Sequence, residues 1–332
     1  MGGTVYIDRK DAELRLDGGA LAVYVNGERD GLVPLAPLDR VVLIGNLTIE
    51  TAALSRLCED GIAVLLLSGR RQSFHGRVVG RLHNHARLRL QQYKLAGGPL
   101  ALALAREWVG RKLAGQAAFL REAAEQRPGE RLVLLSAADT IERVRDRAVQ
   151  AESVESLRGL EGGGAAAYFG ALPTVFPDSL GFSGRERRPP RDPVNALLSL
   201  TYTLVHFEWV RECEVIGLDP LVGFYHEVDY GRESLACDLT ETSRPAADRW
   251  VWELFRARVF EARDFSSDTD RPGCSLKKGA RRRFYEAYEG WMAPRRSEMR
   301  AEVESLARRL LDGADDGADA VPERAAGAAG EP

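Results

Sequence analysis

The sequence predicts an α+β protein in which a β-rich N-terminal domain is followed by a larger, all-helical domain. Two observations carry this. Residues 1–76 contain short aliphatic and β-branched runs separated by Gly, Asp and Asn, the pattern of hairpin-length strands. After Gly76 the chain becomes rich in Ala, Leu, Arg and Gln, with apolar residues recurring at helical spacing. With 332 residues, 45% hydrophobic and 29% charged, the chain has the length for two domains, and its composition excludes a mainly disordered protein.

Within 1–76, strands are expected at 4–8, 13–16, 20–25, 41–44 and 62–67, with a helix at 48–59. In the domain spanning 77–311, helical spacing covers 77–97, 100–125, 138–154, 194–218, 249–263 and 279–311. Asp192-Pro193 has the chemistry of an N-cap followed by proline in the first turn, and Gly217 that of a stop. The proline-bearing segment 181–193 separates two helical stretches. Residues 312–332 lack apolar periodicity and read as an acidic, disordered tail.

The net charge is −3, but the tail alone carries −5, which leaves +2 for the body. Overall acidity therefore does not exclude a polyanionic partner. Cys58, Cys213, Cys237 and Cys274 form no C-x-x-C pair, so neither a zinc ribbon nor a disulfide framework is expected, and a reducing, cytoplasmic setting fits. Apolar runs such as 62–67 fall far short of the roughly 20 residues that cross a bilayer, and no signal-peptide core is visible, so no membrane association is expected.

The most informative stretch is Gly223-Phe224-Tyr225-His226, then Ser234-Leu235-Ala236-Cys237-Asp238-Leu239-Thr240-Glu241, Arg244-Pro245 and Asp248. If Ser234 caps a short helix, Asp238 and Glu241 share one face and the loop histidine folds back toward them. One imidazole with two carboxylates suits magnesium or manganese better than zinc or copper. The plainer alternative is a hydrogen-bonded structural histidine beside a solvated acidic face. A second stretch, Glu161-Gly162-Gly163-Gly164-Ala165-Ala166-Ala167, matches a dinucleotide fingerprint but lacks the buried strand that must precede one. It reads instead as a slim helix that another backbone can approach, with Glu161 pointing into the gap; a tight crossing with an exposed Glu161 is the bland alternative.

His83-Asn84-His85 resembles a nuclease signature only superficially, because positions i and i+2 of a helix diverge. Arg77, Arg81, Arg87, Arg89 and Lys94 are spaced as one basic face, and Lys277, Lys278, Arg281, Arg282 and Arg283 form another. Either suits phosphate contacts or plain solubility. Tyr168, Tyr202 and Tyr285 suit base stacking or core packing.

Taken in order, Glu161-Gly162 with Tyr168-Phe169, Asp192-Pro193-Val194-Asn195-Ala196-Leu197-Leu198 with Tyr202, the Gly223–His226 run and the Ser234–Asp248 set carry a family resemblance. The chain resembles the CRISPR-associated integrase family, the adaptation-stage endonuclease spoken of as Cas-one. The resemblance implies that Glu161, His226 and Glu241 bind a divalent metal, Mg2+ or Mn2+, and carry catalysis, with Asp238 adjacent as a further candidate ligand. It implies a metal-dependent DNA endonuclease and integrase of antiviral defence that inserts new spacers into a CRISPR array by phosphodiester transesterification.

The implied partners are double-stranded DNA, as prespacer and as CRISPR repeat, a second copy of the chain, and the small protein Cas-two. The β-rich domain is the expected dimerisation surface, because its edge strands would otherwise stay unpaired. DNA contacts are expected from Arg244, Lys277, Lys278, Arg281 and Arg282. Ser243, where the family often has an aromatic residue, and the acidic pair Glu227 and Asp229 depart from the pattern. The alternative reading is a non-catalytic DNA-binding assembly subunit of the adaptation complex.

Overall fold

A computed structural model describes residues 3–69, 72–78, 80, 85–186, 189–267 and 273–315. The N-terminal part contains β1 (Gly3–Ile7), β2 (Ala12–Asp17), β3 (Ala20–Val25), β4 (Glu28–Pro34), β5 (Leu38–Ile44), β6 (Thr48–Ile49), α1 (Thr51–Glu59), β7 (Ala63–Leu67) and β8 (Phe74–Val78). The strands form two four-stranded sheets, ordered β1-β5-β7-β8 and β4-β3-β2-β6. In the first, β1, β5 and β7 run parallel and β8 closes the edge antiparallel.

The apolar run at 41–44 follows from the position of β5 inside this sheet. Alternate residues point to opposite faces. Val41 and Leu43 enter a core with Leu14, Leu21, Leu57 and Val64, whereas Val42 and Ile44 pack against the helices. A strand buried on both sides reads as continuous hydrophobics.

The helical part contains α2 (Ala86–Leu95), α3 (Pro99–Gln126), α4 (Arg131–Ala148), α5 (Val154–Ala171), α6 (Pro193–Ile216), α7 (Ser234–Arg256), α8 (Lys278–Met292) and α9 (Arg295–Asp315). A small antiparallel ribbon, β9 (Phe265–Ser267) with β10 (Cys274–Leu276), lies between α7 and α8. The ends of α6 follow the expected chemistry. Asp192 accepts a hydrogen bond from the Asn195 amide at 2.8 Å, Pro193 opens the helix, and Gly217 closes it with φ at 101°.

Four expectations need correction. The segment at 77–97 is not one helix: Arg77 and Val78 belong to β8, where pairing with Leu65 and Val64 outweighs local helical preference. α2 starts only at Ala86, and His85 caps it by accepting the Leu88 amide at Nδ1, 3.1 Å away. The basic face expected there is consequently dispersed; Arg77 is bound by Glu214 at 2.7 Å and by Glu233, while Arg81, His83 and Asn84 lie outside the described residues.

The short helix expected at Ser234 and the one at 249–263 are a single 23-residue helix that runs through Pro245. Ser234 does not cap it, because its hydroxyl donates to the Glu227 carbonyl at 2.8 Å. α9 continues through Asp315, so 312–315 are helical and 316–332 lie outside the described residues.

A buried ionic network fixes the β-rich part against the helices. Arg296 on α9 reaches Glu208 on α6 and Glu289 on α8, each at 2.8 Å. The Tyr6 hydroxyl of β1 donates to Glu289 at 2.6 Å, and Arg40 of β5 lies 2.7 Å from Glu208. Arg281, buried on α8, ties to Asp8 at 3.2 Å, and Tyr6 stacks on Tyr285 with ring centroids 4.1 Å apart. Breaking one partner leaves buried charges uncompensated. Arg296→Met is expected to cost about 3–5 kcal/mol in urea unfolding; a loss below about 1 kcal/mol, the worth of an exposed pair, would contradict this role.

Candidate active site

Helices α3, α5 and α7 approach closely because small residues face their neighbours. A Cβ on Gly115 of α3 would lie 2.9 Å from Pro245 Cβ of α7, and one on Gly164 of α5 would lie 2.5 Å from Leu113 Cδ2 of α3. Gly164 thus makes room for the Leu113 side chain rather than for the neighbouring backbone that the glycine run leads one to expect. Gly162 and Gly163 face open space.

Lys112 precedes Leu113 and Gly115 on α3 and is only 7% exposed. Its Nζ lies 2.5 Å from Glu161 Oε1 and 2.6 Å from Glu241 Oε2, so one ammonium joins carboxylates from two helices. Each carboxylate has a second partner on its other oxygen. The Tyr225 hydroxyl donates to Glu161 Oε2 at 2.5 Å, and Arg244 Nη2 lies 3.1 Å from Glu241 Oε1. Glu241 Oε2 is buried and, beyond the lysine ion pair, accepts no hydrogen bond.

His226 is placed by Asp238. The loop preceding α7 wraps over this carboxylate: Oδ2 accepts the amides of Phe224 at 2.8 Å and Tyr225 at 3.1 Å, and Oδ1 accepts the His226 amide at 2.8 Å. His226 Nδ1 lies 2.6 Å from the same Oδ1. A Cβ on Gly223 would meet Asp238 Oδ2 at 2.6 Å and the Ser234 backbone at 2.8 Å, so only glycine lets the loop dock this tightly. With Nδ1 donating to the carboxylate, Nε2 is the nitrogen left to act as a ligand. Asp238 is 1% exposed and has both oxygens engaged, which places it as the support of His226.

The electrostatics follow from burial and pairing. Burial disfavours a charged Glu241, but Arg244 and Lys112 outweigh it and hold the carboxyl down at about 2. Burial likewise disfavours the Lys112 ammonium, which Glu241 and Glu161 nevertheless hold above its ordinary value. Burial and the neighbouring Glu161 charge push the Tyr225 phenol up, so it remains a donor.

This donor set fits a hard divalent cation: two carboxylates already share one cation, and an imidazole is oriented by a carboxylate behind it. Among the described residues, no three His, Cys, Asp or Glu side chains stand close enough to hold a metal as they are placed. The ammonium of Lys112 occupies the gap between Glu161 and Glu241.

Sequence reasoning missed Lys112, although a signal existed. On α3 it follows Ala105 and Trp108 and precedes Gln116 along a buried stripe, where a lysine requires a partner. The other expected residues separate. Arg244 belongs to the site and lies over the Tyr202 ring at 5.0 Å. Lys277, Lys278 and Arg282 are exposed on and beside α8, remote in sequence from the site, whereas Arg281 is buried against Asp8 and leaves that patch. Tyr168 and Tyr202 both donate to the buried Asp248, and Tyr285 packs on Tyr6, so all three tyrosines serve the core.

A family model described as CRISPR associated protein Cas1 matches residues 5–290. The chain is 45% identical over 313 residues to the CRISPR-associated endonuclease Cas1 1 of Thermodesulfovibrio yellowstonii, covering 94% of this chain and 98% of that one. Two solved structures share the fold. A Cas6-RT-Cas1–Cas2 complex aligns with a TM-score of 0.80 at 24% identity, over 94% of this chain and 35% of that one. A casposase bound to an integration product aligns with a TM-score of 0.79 at 20% identity, over 94% of this chain and 91% of that one.

The depressed Glu241 carboxyl sets a pH signature. Its contribution to stability is complete above the ordinary value of 4.5 and is lost as pH falls toward about 2. In chelator, the melting-temperature gap between wild type and Glu241→Gln should hold from neutral pH to about pH 5, narrow below the ordinary value of 4.5 and close only as pH approaches about 2. A gap that closes already near pH 6 would contradict the arrangement.

Proposed function

Because the chain belongs to the Cas1 family of CRISPR associated proteins, we propose that it is a divalent-metal-dependent DNA endonuclease and integrase that joins new spacers to a CRISPR array by phosphodiester transesterification. The family assignment carries the general role, a nuclease and integrase of CRISPR adaptation. The observation that supports the finer reading is the convergence of Glu161 and Glu241 on one buried cationic position, with His226 oriented from behind by Asp238.

In this reading Glu161, Glu241 and His226 Nε2 hold a magnesium or manganese ion. When bound, that ion supplies positive charge that polarises the phosphoryl group and offsets charge in the transition state. The protein's own groups prepare the site. Arg244 keeps Glu241 ionised at neutral pH, Tyr225 fixes the rotamer of Glu161 through its hydroxyl, and Asp238 holds the imidazole tautomer. Water as nucleophile gives cleavage, and a DNA 3′-hydroxyl gives strand transfer, with the same residues serving both.

We assign catalysis to the helical domain, expected at 77–311 and beginning here after β8, and dimerisation to the β-rich domain, which ends with β8 and whose edge strand β4 is largely exposed. Double-stranded DNA, as prespacer and as CRISPR repeat, is the substrate in this reading, with the exposed Lys277, Lys278 and Arg282 as phosphate contacts, Lys277 and Arg282 exchanging their present partners, the Arg263 carbonyl and Glu286. A small Cas2 partner is part of the reading; the related Cas1 in the Cas6-RT-Cas1–Cas2 complex supports it. Among the described residues, no helix is long and apolar enough to cross a membrane.

Strand transfer of a labelled short duplex into a supercoiled repeat-bearing plasmid, with Cas2 and manganese, tests this reading. Wild type should give metal-dependent product and Glu161→Ala none, at least about a hundredfold less, while duplex binding stays within a few-fold because phosphate contacts dominate affinity. Normal integration by Glu161→Ala would overturn the catalytic assignment. Tight binding without product from wild type would favour a non-catalytic assembly subunit.

A further inference from the structure

The metal-dependent reading above is the basis here, and within it we propose that Lys112 is a resident counter-ion: its ammonium holds Glu161 and Glu241 together when no metal is bound, and it withdraws when metal enters. Two observations carry this. First, Nζ bridges oxygens of the two carboxylates at 2.5 and 2.6 Å, the position that a shared divalent ion would need. Second, Lys112 is buried and its helix is pressed against both neighbours through Gly115 and Gly164. Two carboxylates in such a gap repel unless a cation lies between them.

The exchange is feasible because each carboxylate keeps a second anchor. Glu161 retains Tyr225 and Glu241 retains Arg244 after the lysine leaves. Lysine suits the task better than arginine. Its charge is compact and rides on a flexible four-carbon stem, whereas a planar guanidinium demands a fixed fork of acceptors. Metal loading thus becomes a competition in which a divalent ion replaces a monovalent one, and Lys112 acts as a positioning residue that spaces the ligands in the empty site and lowers its affinity for metal.

The test measures Mn2+ binding to the full chain by electron paramagnetic resonance of the free ion, together with melting temperature in chelator, for wild type, Lys112→Met, Lys112→Arg and Glu161→Ala. Lys112→Met should melt lower than wild type in chelator yet bind Mn2+ more tightly, by about tenfold or more. Lys112→Arg should retain the chelator melting temperature more nearly and bind Mn2+ no more tightly than wild type. Unchanged or weaker Mn2+ binding by Lys112→Met would overturn the proposal, since a purely structural lysine would not compete with metal. If Lys112→Met does not fold, Lys112→Gln gives the same comparison. Wild-type binding that Glu161→Ala does not diminish would instead refute the metal site itself, a result separable from failure of the lysine exchange.

Discussion

Two glutamates from different helices share one buried ammonium, and the placement of the surrounding elements follows from that contact. Glu161 on α5, Glu241 on α7 and Lys112 on α3 meet only if three helices approach within small-residue distance, which Gly115 against Pro245 and Gly164 against Leu113 permit. The cost of placing charge there is met by pairing: each carboxylate has a cation and a further polar partner.

Around this contact the roles of the acidic residues divide by depth. Asp238, fully buried, has both oxygens engaged in shaping the loop that carries His226. Asp248, equally buried, receives two tyrosine hydroxyls and braces the core beside Arg244. Glu161 and Glu241 lie nearer the surface, with partners that are cations or a single phenol. Away from this contact, a second buried set of charges, Arg296, Glu208, Glu289 and Arg40, locks the parallel strands of the N-terminal sheet to α6, α8 and α9.

Much of this arrangement was legible in the chain, and the misses have physical causes. The ends of α6 were readable because Asp192, Pro193 and Gly217 act locally, on their own backbone. The two-faced strand β5 was readable because burial on both sides leaves an unbroken apolar run. By contrast, β8 carries no strand-like composition at Arg77 and is made a strand by pairing with β7, a tertiary effect. The glycine run signalled close approach, yet which glycine faces a neighbour depends on helix rotation, and only Gly164 does. Arg281 reads as part of a basic patch, but its angular position on α8 turns it inward to Asp8. Motif order singles out Glu161, His226 and Glu241 as candidates; the role of Lys112 between the two glutamates is not legible in its own stretch, because it depends on two helices distant in sequence.

In the proposed site Glu161, His226 and Glu241 hold one cation, whose place Lys112 keeps in the empty protein. The most direct measurement is anomalous diffraction from crystals of the full chain soaked in manganese. One strong peak coordinated by Glu161, Glu241 and His226 Nε2 is expected, with Lys112 Nζ moved off both carboxylates. Manganese bound elsewhere, or Lys112 still bridging the two glutamates at saturating metal, would contradict it.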